Sequence, residues 1–177
     1  MKIRIEIAAI FLCSAERAFK CPILGDATKF LNGYLFQPPV IGFEEDETWG
    51  RIGGIRYPVT DGNFFMPQGR IFTDKILERD EGKMWKWMID DFKVPLMFFA
   101  EKAIGEWKVI PVSENKMRVK YSYTFYSKNR FYHLFTVVFV HIQWKGMMKK
   151  ALMGMSKMAE SDEEFIDDKE LPVVKPF

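Results

Sequence analysis

The segment Asn129–Met158, NRFYHLFTVVFVHIQWKGMMKKALMGMSKM, decides the fold. Its apolar positions recur at helical spacing, and no proline interrupts it. Thirty residues at ~1.5 Å each make a rod of roughly 45 Å, about the width of a domain this long. At about 100° per residue, one face runs through His133, Val137, Val140, His141, Trp144, Met147, Met148, Ala151, Met155 and Met158. The opposite face carries Lys145, Lys149, Lys150 and Lys157 in the second half. In the first half it carries a second apolar stripe, Phe131, Phe135, Val138, Phe139 and Ile142. The helix is therefore expected to be gripped on one side throughout and covered on the other only near its start. Thr136–Val140 alone would also suit a strand. Nothing breaks the chain before Gly146, however, and the helical period continues past it.

A chain of 177 residues with 48% hydrophobic and 28% charged residues fits one globular domain with a substantial core. The net charge of +2, with no basic block, gives no ground for a nucleic-acid partner. Seventeen Phe and eleven Met suit either an overfilled core or the lining of an apolar cavity. Cys13 and Cys21 lack metal-ligand company, and read as buried free thiols of a reducing compartment. Glu6 interrupts any apolar run at the start, and no run reaches the ~18 residues that span a membrane. The expected location is the cytoplasm.

Ahead of the long helix the pattern is strand and turn. Ile3, Ile5 and Ile7 alternate with charged residues in a first strand. Ser14 is placed to cap a short helix through Phe19, ended by Pro22, and Asp26 a second, closed by Asn32-Gly33. Strands are expected at Val40–Glu44, Thr48–Val59, Gly69–Glu78, Lys83–Asp90, Glu106–Val112 and Lys116–Tyr126. Trp85, Trp87 and Ile89 share one face; so do Met117, Val119, Tyr121, Tyr123 and Phe125. Pro95–Gly105 reads as a greasy connection. Residues 1–159 make the expected domain, and 160–177 an acidic, proline-containing, mobile tail. An antiparallel sheet with one apolar face needs a cover, and the last helix is the element large enough.

Several phrases in this order resemble a known family: Ser14-Ala15-Glu16-Arg17-Ala18-Phe19 after the first strand, Gly53-Gly54-Ile55-Arg56, and Glu78-Arg79-Asp80-Glu81-Gly82. Gly105-Glu106-Trp107-Lys108-Val109-Ile110-Pro111 and Tyr121-Ser122-Tyr123-Thr124-Phe125 complete the set. Over roughly residues 2 to 159 the chain resembles the SRPBCC superfamily, the START-like and Bet v 1-like helix-grip proteins, including the polyketide cyclase/dehydrase group. The resemblance implies an α+β helix-grip fold: a curved antiparallel sheet of about seven strands around the long C-terminal helix, two short helices after strand 1, and an apolar cavity. It transfers no catalytic residue, since that family has no invariant triad.

The expected ligand-binding residues are Arg56, Trp85, Trp87, Trp107, Tyr121, Tyr123, Phe125, His133, Val137, His141, Trp144 and Met148. Arg56 and Arg70 each read more readily as surface charges. His141, Tyr121 and Tyr123 are the candidates for proton transfer. His133 and His141 stand roughly 12 Å apart along a helix, too far to share a metal ion, and no metal or cofactor motif occurs. The leading expectation is binding, transport or sequestration of a small hydrophobic or amphipathic ligand such as a lipid or aromatic metabolite. One alternative is a cyclase/dehydrase-like enzyme. Another is an interaction module with a filled core, pairing as a homodimer through Phe131, Phe135, Val138, Phe139 and Ile142.

Overall fold

The computed structural model describes residues 1–93, 96–161 and 165. Alternating strands build one antiparallel sheet: β1 (Lys2–Phe11), β2 (Gly42–Glu45), β3 (Ile55–Thr60), β4 (Gly69–Arg70), β5 (Thr73–Asp80), β6 (Met84–Asp90), β7 (Ala100–Ser113) and β8 (Lys116–Ser127). Seven lie in the order β1-β8-β7-β6-β5-β3-β2, and the two-residue β4 pairs with β3. The expected strand Thr48–Val59 begins only at Ile55. Before it, the Asp46 carboxylate accepts from Thr48 N, Thr48 Oγ1 and Ile55 N at 2.8–3.0 Å and holds a turn. Part of the expected connection at Pro95–Gly105 is strand, because β7 starts at Ala100 after a single turn at Leu96–Phe98; Pro95 lies outside the described residues.

Helix α1 (Ala15–Leu24) starts where expected, with Ser14 Oγ accepting from Arg17 N at 3.3 Å. It does not stop at Pro22, as expected, but runs two residues beyond. Proline has no N–H to give the carbonyl four residues back, here Ala18. The Trp107 indole supplies that bond instead, Nε1 donating to Ala18 O at 2.9 Å, and Trp85 Nε1 donates to Phe19 O at 2.8 Å. Phe19 stacks on Trp85 with centroids 4.8 Å apart, so the helix is fastened to the sheet by rings and by donors. The second expected helix is one turn, Ala27–Lys29, capped by Asp26.

Asn129 Oδ1 accepts from Tyr132 N at 3.1 Å and opens the long C-terminal helix. The helix has three parts: α2 (Arg130–Phe139), a π turn at Val140–Trp144, and α3 (Lys145–Glu160). It is the expected rod, with one difference that matters. A π turn rotates less per residue than an α turn, so the gripped face is re-phased at Val140–Trp144. Val140, Gln143 and Trp144 turn inward there, and His141 is exposed. Gln143 is held at both ends of its amide: Nε2 donates to Tyr34 O, and Oε1 accepts from Phe36 N at 3.5 Å. Beyond the turn, Met147, Met148, Ala151, Met155 and Met158 are buried as the periodicity predicts. Cys21, on α1, donates its thiol to Met155 O at 3.2 Å, and both cysteines are buried.

Gly105 on β7 faces Trp87 across the β6–β7 ladder. A Cβ there would stand 2.3 Å from Trp87 Cε2, so the flat indole lies directly on the glycine. Gly105→Ala must push that ring off its seat, and is expected to cost about 1–3 kcal/mol as an overpacked core site. A thermal melt checks this; an unchanged midpoint would mean the ring is not confined.

Of the expected tail, Phe165 is described, its ring 4.5 Å from the Arg17 guanidinium. The tail's other residues past Ser161 lie outside the described residues.

Candidate functional site

Between the inner face of the sheet and the C-terminal helix lies a cleft in two chambers. The inner one, about 40 Å³, is bounded by Arg56 and Pro58 on β3, Asp74 on β5, Trp87 on β6, and Tyr121 and Tyr123 on β8. Pro22, Ile23, Phe30, Leu31, Trp144, Met147 and Met155 close it from the helical side. The outer one, about 20 Å³, lies among Phe36, Met66, Ile71, Phe92, Leu96, Phe139 and Gln143. Gln37, Phe72 and Trp144 border both. At ~10–15 Å³ per water, the inner chamber has room for about three waters. The interior is therefore mostly filled, and the remaining space is small.

Its chemistry is concentrated at one end. Arg56 and Asp74 are cross-strand partners on β3 and β5, and Arg56 Nε donates to Asp74 Oδ2 at 3.0 Å. Both side chains are buried, at 7% and 5% exposure, which corrects the reading of Arg56 as a surface charge. The guanidinium is further held between Trp49 and Phe43, 4.1 and 4.6 Å from their centroids. Arg70, by contrast, is an exposed charge paired with Glu44. Burial pushes the Asp74 carboxyl above the ordinary carboxylate range, and the attraction of Arg56 offsets this only in part. Asp74 Oδ1 has no hydrogen-bond partner among the described residues, nor does Trp144 Nε1.

The two tyrosines form a relay. Trp87 Nε1 donates to Tyr123 Oη at 3.1 Å, and Tyr121 Oη donates to the same oxygen at 3.4 Å. Burial raises both phenols well above their usual range. At neutral pH they are uncharged hydroxyls, able to donate a hydrogen bond but not to act as phenolates.

The structure separates the expected site residues into two sets. Arg56, Trp87, Tyr121, Tyr123 and Trp144 line the inner chamber. Trp85 and Trp107 instead fasten α1, while Phe125 and Met148 are core residues behind the wall. Val137 is half-buried. His133, on α2, is half-buried, its Nδ1 3.1 Å from Ser127 Oγ at the end of β8. His141 points away from the cleft, with Nδ1 2.9 Å from Val137 O of its own helix. Placement of His141 on the gripped face is thus corrected, by the π turn. Asp74 was not anticipated: nothing in its neighbourhood of sequence marks it, and its pairing with Arg56 depends on strand register.

The apolar stripe is mostly uncovered. Phe131, Phe135, Val138 and Ile142 are exposed, Phe131 at 74%, and only Phe139 is sheltered, edge-on to Phe99 at 5.4 Å. Among the described residues no helix is long and apolar enough to cross a membrane, and no cluster of metal-ligating side chains occurs.

No family model and no curated protein matches the sequence. Solved structures do match in shape. Norcoclaurine synthase from Thalictrum flavum superposes with a TM-score of 0.67 at 14% identity, covering 90% of this chain and 94% of that one. An aromatase/cyclase from Streptomyces sp. R1128 gives 0.65 at 13% identity, with coverage of 90% and 94%. A major latex-like protein from Panax ginseng gives 0.62 at 12% identity, with coverage of 90% and 95%. The fold is the Bet v 1-like helix-grip fold.

Proposed function

We propose that this protein binds a small apolar or amphipathic molecule between its sheet and its C-terminal helix. The observation that carries the reading is the cleft itself: ring-walled, shared between two chambers, and holding a buried ion pair and two hydroxyls at its inner end. Its small volume means that a ring-sized ligand enters by displacing Gln37, Phe72 or Trp144, the side chains that border both chambers. Another Thalictrum flavum norcoclaurine synthase structure is a complex with dopamine and hydroxybenzaldehyde, which supports a ligand of that size in this fold. Trp87 and Trp144 would report binding. Titration with small aromatic compounds is expected to shift the intrinsic tryptophan emission, and Trp144→Phe to remove most of the shift. Emission unmoved by every compound up to its solubility would refute the reading.

Chemistry of the cyclase/dehydrase kind is the alternative. In it, Tyr121 and Tyr123 would orient a substrate oxygen by donating hydrogen bonds as neutral hydroxyls, and His141→Ala would leave turnover intact. A location in the cytoplasm is consistent with two buried cysteines held as thiols.

The exposed stripe favours one further role, as a contact with a second copy of the chain. Sedimentation should then show a dimer that Phe135→Asp with Val138→Asp converts to monomer without lowering the melting temperature, since both side chains are exposed. A monomer at every concentration removes that role.

A further inference from the structure

Asp74 Oδ1 is a buried acceptor without a donor, and Trp144 Nε1 a buried donor without an acceptor, among the described residues; both border the inner chamber. Leaving such groups unmet is costly, so they mark what an occupant must supply. We infer that the inner chamber is built for an uncharged hydroxyl-bearing compound, a phenol or alcohol, whose O–H donates to Asp74 Oδ1 and whose polar end accepts from Trp144 Nε1. This rests on the ligand-binding reading above and narrows it to a ligand class.

Charge selects within that class. Arg56 already lies against Asp74 Oδ2 at 3.0 Å, so the polar end is a neutralised pair. An ammonium group would add an unbalanced positive charge in a dry site, and a carboxylate would face the Asp74 oxygen; each carries a large desolvation cost. A hydroxyl brings no net charge and holds both a donor and an acceptor. Tyr123 agrees with this assignment. Its oxygen already receives the Trp87 and Tyr121 hydrogens, which leaves its own hydrogen to donate to a ligand oxygen. The rest of the wall, Ile23, Phe30, Leu31, Met147 and Met155, is apolar and suits a hydrocarbon or aromatic body.

The test uses five probes of similar size with the whole chain: p-cresol, 4-methylanisole, toluene, benzylamine and benzoate, measured by calorimetry. p-Cresol is expected to bind best. Methylation of its hydroxyl removes the donor to a charged acceptor and should weaken binding about ten- to hundredfold, with the two charged probes weaker still. Trp144→Phe deletes the indole N–H, and is expected to narrow the gap between p-cresol and toluene. Asp74→Asn is expected to close the gap between p-cresol and 4-methylanisole. Should either variant fail to fold, the probe series on the unaltered protein decides alone. Equal binding of p-cresol and 4-methylanisole overturns the inference while leaving the ligand-binding reading standing. Preference for benzylamine or benzoate overturns the assignment of charge. Binding of no probe overturns both, and two ordered waters on Asp74 and Trp144 would then account for the unmet groups.

Discussion

Arg56→Met is expected to destabilise the protein by about 3–5 kcal/mol at neutral pH, because it strands a charged carboxylate in the interior. Asp74 is buried, its Oδ2 takes its hydrogen bond from Arg56, and its Oδ1 has no partner among the described residues to share the load. The pair is not itself a large source of stability. Burial already lifts the Asp74 carboxyl despite Arg56, so attraction falls short of desolvation. The double variant Arg56→Met with Asp74→Leu should therefore recover most of the loss. The pH dependence has a definite sign. A carboxyl with a raised folded-state value binds its proton more readily in the native than in the unfolded state. Its destabilising charge is present above that folded value and disappears as pH falls through it toward the ordinary value of 3.8. The loss in Arg56→Met should accordingly shrink as pH falls from 7. Urea unfolding across that range checks it; a deficit that grows on acidification would contradict the assignment.

Trp107→Ala is expected to cost about 3–5 kcal/mol, the range for truncating a fully buried tryptophan. Trp107→Phe separates packing from hydrogen bonding. It keeps much of the ring against Phe11 and Tyr121 but strands the carbonyl of Ala18, which should cost about 1–3 kcal/mol. The residue that creates the need for the indole is Pro22. Adding Pro22→Ala to Trp107→Phe returns a backbone N–H at the helical distance from Ala18 O, so the double variant should be more stable than Trp107→Phe alone. Additive losses in the two variants would refute this role for the indole.

The long helix was legible from sequence because its methionine-rich face repeats over many turns, so local noise averages out. The strand from Met117 to Phe125 was legible for the same reason at period two: all five inward residues are buried. The π turn was not. It answers to Gln143 bonding the loop at Tyr34–Phe36, a contact between segments more than a hundred residues apart. His141 was misplaced for that reason alone. On β3 the apolar residues Ile55, Tyr57 and Val59 alternate with Arg56, Pro58 and Thr60, and it is the second set that is buried. Hydrophobic alternation pointed the wrong way there, because the interior at that point accommodates an ion pair. Asp74 became visible only once register placed it opposite Arg56. The three tryptophans Trp85, Trp87 and Trp107 are all buried. Which of them sits under α1 and which borders the cleft depends on where a helix lands.

Native mass spectrometry of the protein purified from its own host tests the central claim most directly. A non-covalent adduct of a small uncharged molecule, released on unfolding, is the result predicted. Only the mass of the bare chain, in every preparation, would contradict it.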